Sequence, residues 1–69
     1  MSRLKEIREY CGYTQKQCAE ASYISIKSYT RYEAGERILP LDTAVYLAKF
    51  FNVSLDYIAG LTNDMRKYW

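Results

Sequence analysis

Apolar residues fall at Leu4, Ile7 and Cys11, with Arg3, Lys5, Glu6 and Glu9 facing elsewhere. That three-to-four spacing lines one face of a helix. Gly12 follows as a C-terminal stop, so the pattern predicts a first helix from about Ser2. Thr14 and Gln17 match a capping box, in which each side chain bonds the other residue's orphan backbone N–H. A second helix therefore opens near Gln15, turns Cys18 and Ala19 inward and ends near Ser22. Ser25 can cap a third helix from Ile26 to about Glu33, with Tyr29 and Tyr32 on a shared face and Gly35 closing it. Pro40 disfavours helix in the residue before it, and a fourth helix starts at Leu41 or Asp42 and runs through Phe51. Ala44, Leu47, Ala48 and Phe51 are expected on its buried side. Ser54 caps a fifth, Leu55 to about Ala59, stopped by Gly60. No strand-like alternation competes with this pattern. The expectation is an all-α fold, a compact bundle of five short helices joined by connections of two to eight residues.

Sixty-nine residues make one small domain, which buries only about 60% of the surface its unfolded chain exposes. Stability should therefore be marginal. With 49% apolar and 26% charged residues, the chain is globular in composition. No stretch approaches the roughly 20 apolar residues that span a bilayer, and the start lacks the apolar region of a signal peptide. The expectation is a cytoplasmic protein with no membrane contact.

Two cysteines, Cys11 and Cys18, cannot make a disulfide framework. Histidine is absent, so a four-ligand zinc site cannot be assembled; no metal or cofactor is expected. Both cysteines are read as small buried apolar groups. The acids are scattered over helix faces and caps, so no nucleophile and base stand out and an enzyme is not expected. The net charge is +2, with basic residues concentrated before position 38, too weak an imbalance to identify a nucleic-acid binder alone.

Two short helices about three residues apart, with the small Ala19 in the first, suggest a helix-turn-helix. The run "TQKQCAEASYISIKSYTRYEAGER" resembles the helix-turn-helix of the Cro and phage-repressor (Xre) family, and the likeness extends from "RLKEIRE" through "YLAKFFNVSLDYIAG". This resemblance implies a lambda-repressor-like DNA-binding domain over residues 1–61, followed by a tail, 62–69. The third helix is then the recognition helix, with Ser25, Ile26, Lys27, Thr30 and Arg31 facing base edges in the major groove. Arg31 can present two donors to a guanine, and Ile26 can touch a thymine methyl. Thr14, Gln15, Ser28, Gly35 and Arg37 fall at expected phosphate-contacting positions. Arg8 and Glu33 match a family ion pair tying the first helix to the third.

The resemblance further implies double-stranded DNA as partner and a homodimer reading a near-palindromic operator, with dimer contacts at Leu39, Leu41, Val45, Tyr57 and Leu61. The expected function is a transcriptional regulator, a repressor acting by promoter occupation. The alternative is an antitoxin-like protein-interaction module, using Met65, Tyr68 and Trp69 of the tail to bind a partner protein.

Four positions depart from the family pattern. Tyr23 stands where the turn between helices two and three usually has glycine, predicting strain there. Ser22 replaces a large aliphatic while Tyr29 replaces isoleucine or valine, a volume exchange that would place the tyrosine hydroxyl near Ser22. Ala34 replaces an asparagine that would contact phosphate.

Overall fold

The computed structural model describes residues 3–59, and within them every regular element is a helix: α1 Leu4–Cys11, α2 Gln15–Ala21, α3 Ile26–Glu33, α4 Leu41–Phe51 and α5 Leu55–Ala59. The expected start at Ser2, the stop at Gly60, the dimer contact at Leu61 and the whole 62–69 tail lie outside the described residues.

The caps explain where the helices begin. Thr14 Oγ1 accepts the Gln17 N–H at 3.1 Å while Gln17 Oε1 accepts the Thr14 N–H at 2.8 Å, a reciprocal capping box at the start of α2. Ser25 Oγ accepts from the Ser28 N–H at 3.1 Å to open α3, and Ser54 Oγ accepts from the Tyr57 N–H at 3.0 Å to open α5. Before α4 stands Pro40, which has no side chain to cap with; the Asp42 carboxylate in the first turn accepts the Thr43 N–H instead, at 2.8 Å.

Four helices stop by one device. In each, a residue with positive φ follows the last turn, and two successive N–H groups fold back onto the orphan carbonyls. Gly12 and Tyr13 bond Glu9 and Arg8, Tyr23 and Ile24 bond Glu20 and Ala19, Gly35 and Glu36 bond Tyr32 and Arg31, and Asn52 and Val53 bond Lys49 and Ala48. The left-handed residue is glycine after α1 and α3, asparagine after α4 and tyrosine after α2, where Tyr23 has φ 60°. Glycine and asparagine accept this conformation readily, whereas tyrosine is strained by about 1–2 kcal/mol. The Tyr23 ring meets the Tyr46 ring of α4 edge-on at 5.0 Å, a contact that offsets part of that strain. Tyr23→Asn should therefore change the melting temperature by only a few degrees, strain relief against ring contact. In a Tyr46→Ala background, where the contact is already gone, the same change should stabilise the domain by about 1 kcal/mol in chemical denaturation.

The core gathers Leu4 and Ile7 of α1, Cys18 and Ala19 of α2, Tyr29 of α3, Leu47, Ala48 and Phe51 of α4, then Val53 and Ile58. Three expectations change here. Cys11 is exposed, because the turn at Gly12 delivers Tyr13 to the core in its place; the Tyr13 ring stacks on Phe50 at 4.4 Å and approaches Phe51 at 6.3 Å. On α4, Thr43 is buried, while Ala44 is only half-buried at the edge of a groove. Ser22 and Tyr29 are both buried as a small and a large partner, but Ser22 Oγ donates to the Cys18 carbonyl at 2.8 Å and the Tyr29 hydroxyl makes no hydrogen bond. A serine at the end of a helix finds a carbonyl of the preceding turn within its own reach, so it does not serve the tyrosine.

Candidate nucleic-acid interface

Arg8 of α1 holds the C-terminal end of α3. Its Nε donates to Glu33 Oε2 and its Nη2 to Glu33 Oε1, both at 2.9 Å, while Nη1 donates to the Tyr13 carbonyl at 3.0 Å. A two-pronged guanidinium–carboxylate contact fixes direction as well as distance. The side chains are 15% and 5% exposed, so the pair is withdrawn from water rather than screened at the surface. Gln15, the first residue of α2, donates its amide to Glu33 Oε1 at 3.4 Å and brings α2 into the same network. Burial, the largest single influence, opposes the Glu33 charge, but the bonds and charge of Arg8 together with the nearby Tyr29 hydroxyl and Gln15 amide outweigh it and hold the carboxyl below its ordinary value. Arg8 is raised by its bond to Glu33.

Tyr29 lies directly beneath this clamp. It is fully buried, and burial first, then the Glu33 carboxylate oxygen close enough to favour the protonated form, push its hydroxyl up, so it stays protonated. Burial likewise raises the Cys18 thiol. An unbonded buried hydroxyl costs about 1–3 kcal/mol in desolvation. Tyr29→Phe should accordingly leave the melting temperature unchanged or higher. A loss of more than about 1 kcal/mol in denaturant titration would mean that the hydroxyl is bonded in solution.

With its far end clamped, α3 presents its first turns outward. Ser25, Ile26, Lys27 and Thr30 are exposed, and Arg31 and Ser28 are half-buried. Ile26 is 47% exposed, an apolar group among the polar residues of this face. The hydroxyls are already engaged: Ser25 caps the helix and donates to Ser28 Oγ at 3.1 Å, and Thr30 Oγ1 donates to the Ile26 carbonyl at 2.8 Å. Neither Lys27 nor Arg31 makes an ion pair among the described residues. The groups left to meet a ligand are thus two cations, the Ile26 side chain and the Thr30 methyl.

Thr14, Gln15 and Thr30 line one shallow depression of about 650 Å³ between α1, α2 and α3. Lys5 lines it too, a cation the sequence reading passed over although it sits one turn before Arg8. Gly35 and Arg37 lie elsewhere, on a groove of about 640 Å³ beside α4 and α5. The Gly35 N–H expected to face phosphate donates to the Tyr32 carbonyl at 3.1 Å, closing α3. Leu39 and Leu41 share that groove with Leu55 and Ile58, and neighbouring Ile38 is 93% exposed. Tyr57 instead lines a crevice against α1, with the Arg3 guanidinium 4.7 Å above its ring, so it is not grouped with Leu39 and Leu41. Val45 is half-buried on α4.

No helix among the described residues is long and apolar enough to cross a membrane. Nor do those residues bring together three histidine, cysteine or acidic side chains able to hold a metal ion.

Comparison with known proteins agrees with this geometry. A helix-turn-helix family model matches residues 4–58, from the start of α1 to the penultimate residue of α5. The chain is 45% identical over 62 residues to the uncharacterized HTH-type transcriptional regulator YobD of Bacillus subtilis, covering 90% of this chain and 55% of that protein. It is 43% identical over 65 residues to the HTH-type transcriptional regulator ImmR of the same organism, covering 94% and 51%. The cryptic phage CTXphi transcriptional repressor RstR of Vibrio cholerae is 34% identical over 58 residues, covering 84% and 52%. The chain thus spans about half the length of these relatives. No solved structure matches it. Five helices in this order, two of them joined by a four-residue turn over the Arg8–Glu33 clamp, and a match along nearly all the described chain place this protein in the helix-turn-helix family.

Proposed function

We propose that the chain is a sequence-specific DNA-binding transcriptional regulator of the cytoplasm, a repressor that occupies a near-palindromic operator as a homodimer. The observation that carries this reading is the recognition helix itself, clamped at one end by Arg8–Glu33 while Ile26, Lys27 and Arg31 stand on its outer face, the two cations without ion-pair partners among the described residues. In this reading α3 enters the major groove, Arg31 and Lys27 read purine acceptors, and Ile26 and the Thr30 methyl contact thymine. Ser25 shapes the entry to the groove as a cap, and Ser28 beside it faces the backbone. Thr14, Gln15 and Lys5 lie against the phosphates along the depression, near the positive end of the α2 dipole. Arg37 adds a charge from the loop beyond the Gly35 turn. The DNA-binding unit covers 1–61, and Ile38, Leu39 and Leu41 supply the apolar centre of a two-fold contact.

The names of the relatives, transcriptional regulators and a phage repressor, support the same role. The test is selection of random duplexes by the purified protein at moderate salt, with sequencing of what is retained. Enrichment of an inverted repeat with half-sites about 34 Å apart is expected. Retention without any enriched sequence would remove operator recognition from the proposal.

A further inference from the structure

Tyr23 occupies the turn between α2 and α3 in a left-handed conformation, φ 60°, and the residue is 79% exposed. A tyrosine held in that conformation and left in water gains little from burial to offset the backbone cost. Its ring is nevertheless held in place, edge-on against Tyr46 of α4, which is itself exposed. The Tyr23 hydroxyl makes no hydrogen bond among the described residues.

The direction of the ring follows from its neighbours. Ile24 packs against the core, while Tyr23 before it and Ser25 after it are exposed. Tyr23 and Ser25 thus stand on the side that Ile24 turns away from, with their Cα atoms no more than about 7 Å apart. That side continues into the exposed Ile26 and Lys27, the first turn of α3 and the end of the helix assigned to the groove.

We infer that Tyr23 is a further DNA contact, its hydroxyl donating to a phosphate oxygen at the rim of the groove that α3 enters; this rests on the DNA-binding reading above. Standing before the helix and not on it, Tyr23 meets the rim, where the phosphates are, and not the base edges. Tyrosine hydroxyls are among the ordinary donors to DNA phosphates. A ring with two rotatable angles, already braced by Tyr46, loses little freedom on contact. The donor is neutral and indifferent to base sequence, so it adds affinity without selectivity and releases no counterion.

Tyr23→Phe deletes the hydroxyl and keeps the ring, the turn and the Tyr46 contact. Losing one neutral hydrogen bond should weaken binding by about 2- to 10-fold for each half-site. The loss should be the same on the selected operator and on an unrelated duplex, with the salt dependence and the melting temperature unchanged. Ethylation of operator phosphates locates the contact: one ethylated phosphate in each half-site should interfere with the unaltered protein and no longer with Tyr23→Phe. Binding by Tyr23→Phe equal to that of the unaltered protein would overturn the inference, and operator recognition would still stand if Arg31→Ala loses the operator. A loss confined to the operator would overturn it too, since the hydroxyl would then read a base, as would a loss that comes with a lower melting temperature. Absence of operator selection by the unaltered protein would remove the DNA-binding reading itself, and this contact with it.

Discussion

Glu33→Ala should destabilise the domain by about 3–5 kcal/mol, the cost of leaving a partly buried guanidinium without its carboxylate. In a chain this small that is a large share of the total stability. The clamp shows why the loss is not confined to one contact. Arg8 joins α1, the Tyr13 carbonyl and α3, and Gln15 adds α2, so one carboxylate sets the position of three helices. Chemical denaturation should show the loss, and DNA affinity should fall with it because α3 is no longer held at a single angle. Unchanged stability would refute the clamp as a structural element.

The same carboxylate carries a pH signature with a definite sign. Its folded-state value is depressed, so its contribution is complete above the unfolded carboxylate value of about 4.3 and disappears as pH falls through the lower folded value. The unaltered protein should therefore lose its advantage over Glu33→Gln below about pH 4. An advantage that persists undiminished to pH 2 would place the coupling elsewhere.

Arg31→Ala should separate recognition from folding. Arg31 is half-buried on the outer face of α3 and makes no ion pair among the described residues, so its removal should leave the melting temperature nearly unchanged. A bidentate arginine–guanine contact discriminates by about 1–3 kcal/mol, roughly 5- to 150-fold for each half-site. Binding to the selected operator should fall by at least that factor, while binding to an unrelated duplex falls much less. Lys5→Ala provides the contrast. A phosphate contact is lost equally from every sequence, so both duplexes should weaken together and the salt dependence become shallower by about one counterion. If Arg31→Ala behaves as Lys5→Ala does, Arg31 touches the backbone and the base-reading assignment moves to Lys27 and Ile26.

Much of this protein is decided locally, and those parts were legible from the sequence. Caps and stops are interactions among residues three to five apart, so Thr14–Gln17, Ser25, Gly12 and Gly35 mark helix ends without reference to the rest of the chain. The five helices follow from them and from the apolar stripes. Arg8 and Glu33, 25 residues apart, came only from resemblance to a family, because no local rule pairs them. Tertiary structure alone decided what depends on who arrives first at a shared place. Tyr13 takes the core position that the α1 stripe offered to Cys11, and Thr43 turns inward where Ala44 had the matching spacing. Ser22 bonds its own helix in preference to Tyr29, and the Gly35 N–H is consumed by the end of α3. Tyr57 faces α1 while Leu39 and Leu41 face the α4 groove. Periodicity names the residues that can share a face, but the packing of the other helices determines which of them meet, and hence which side chains remain to touch DNA.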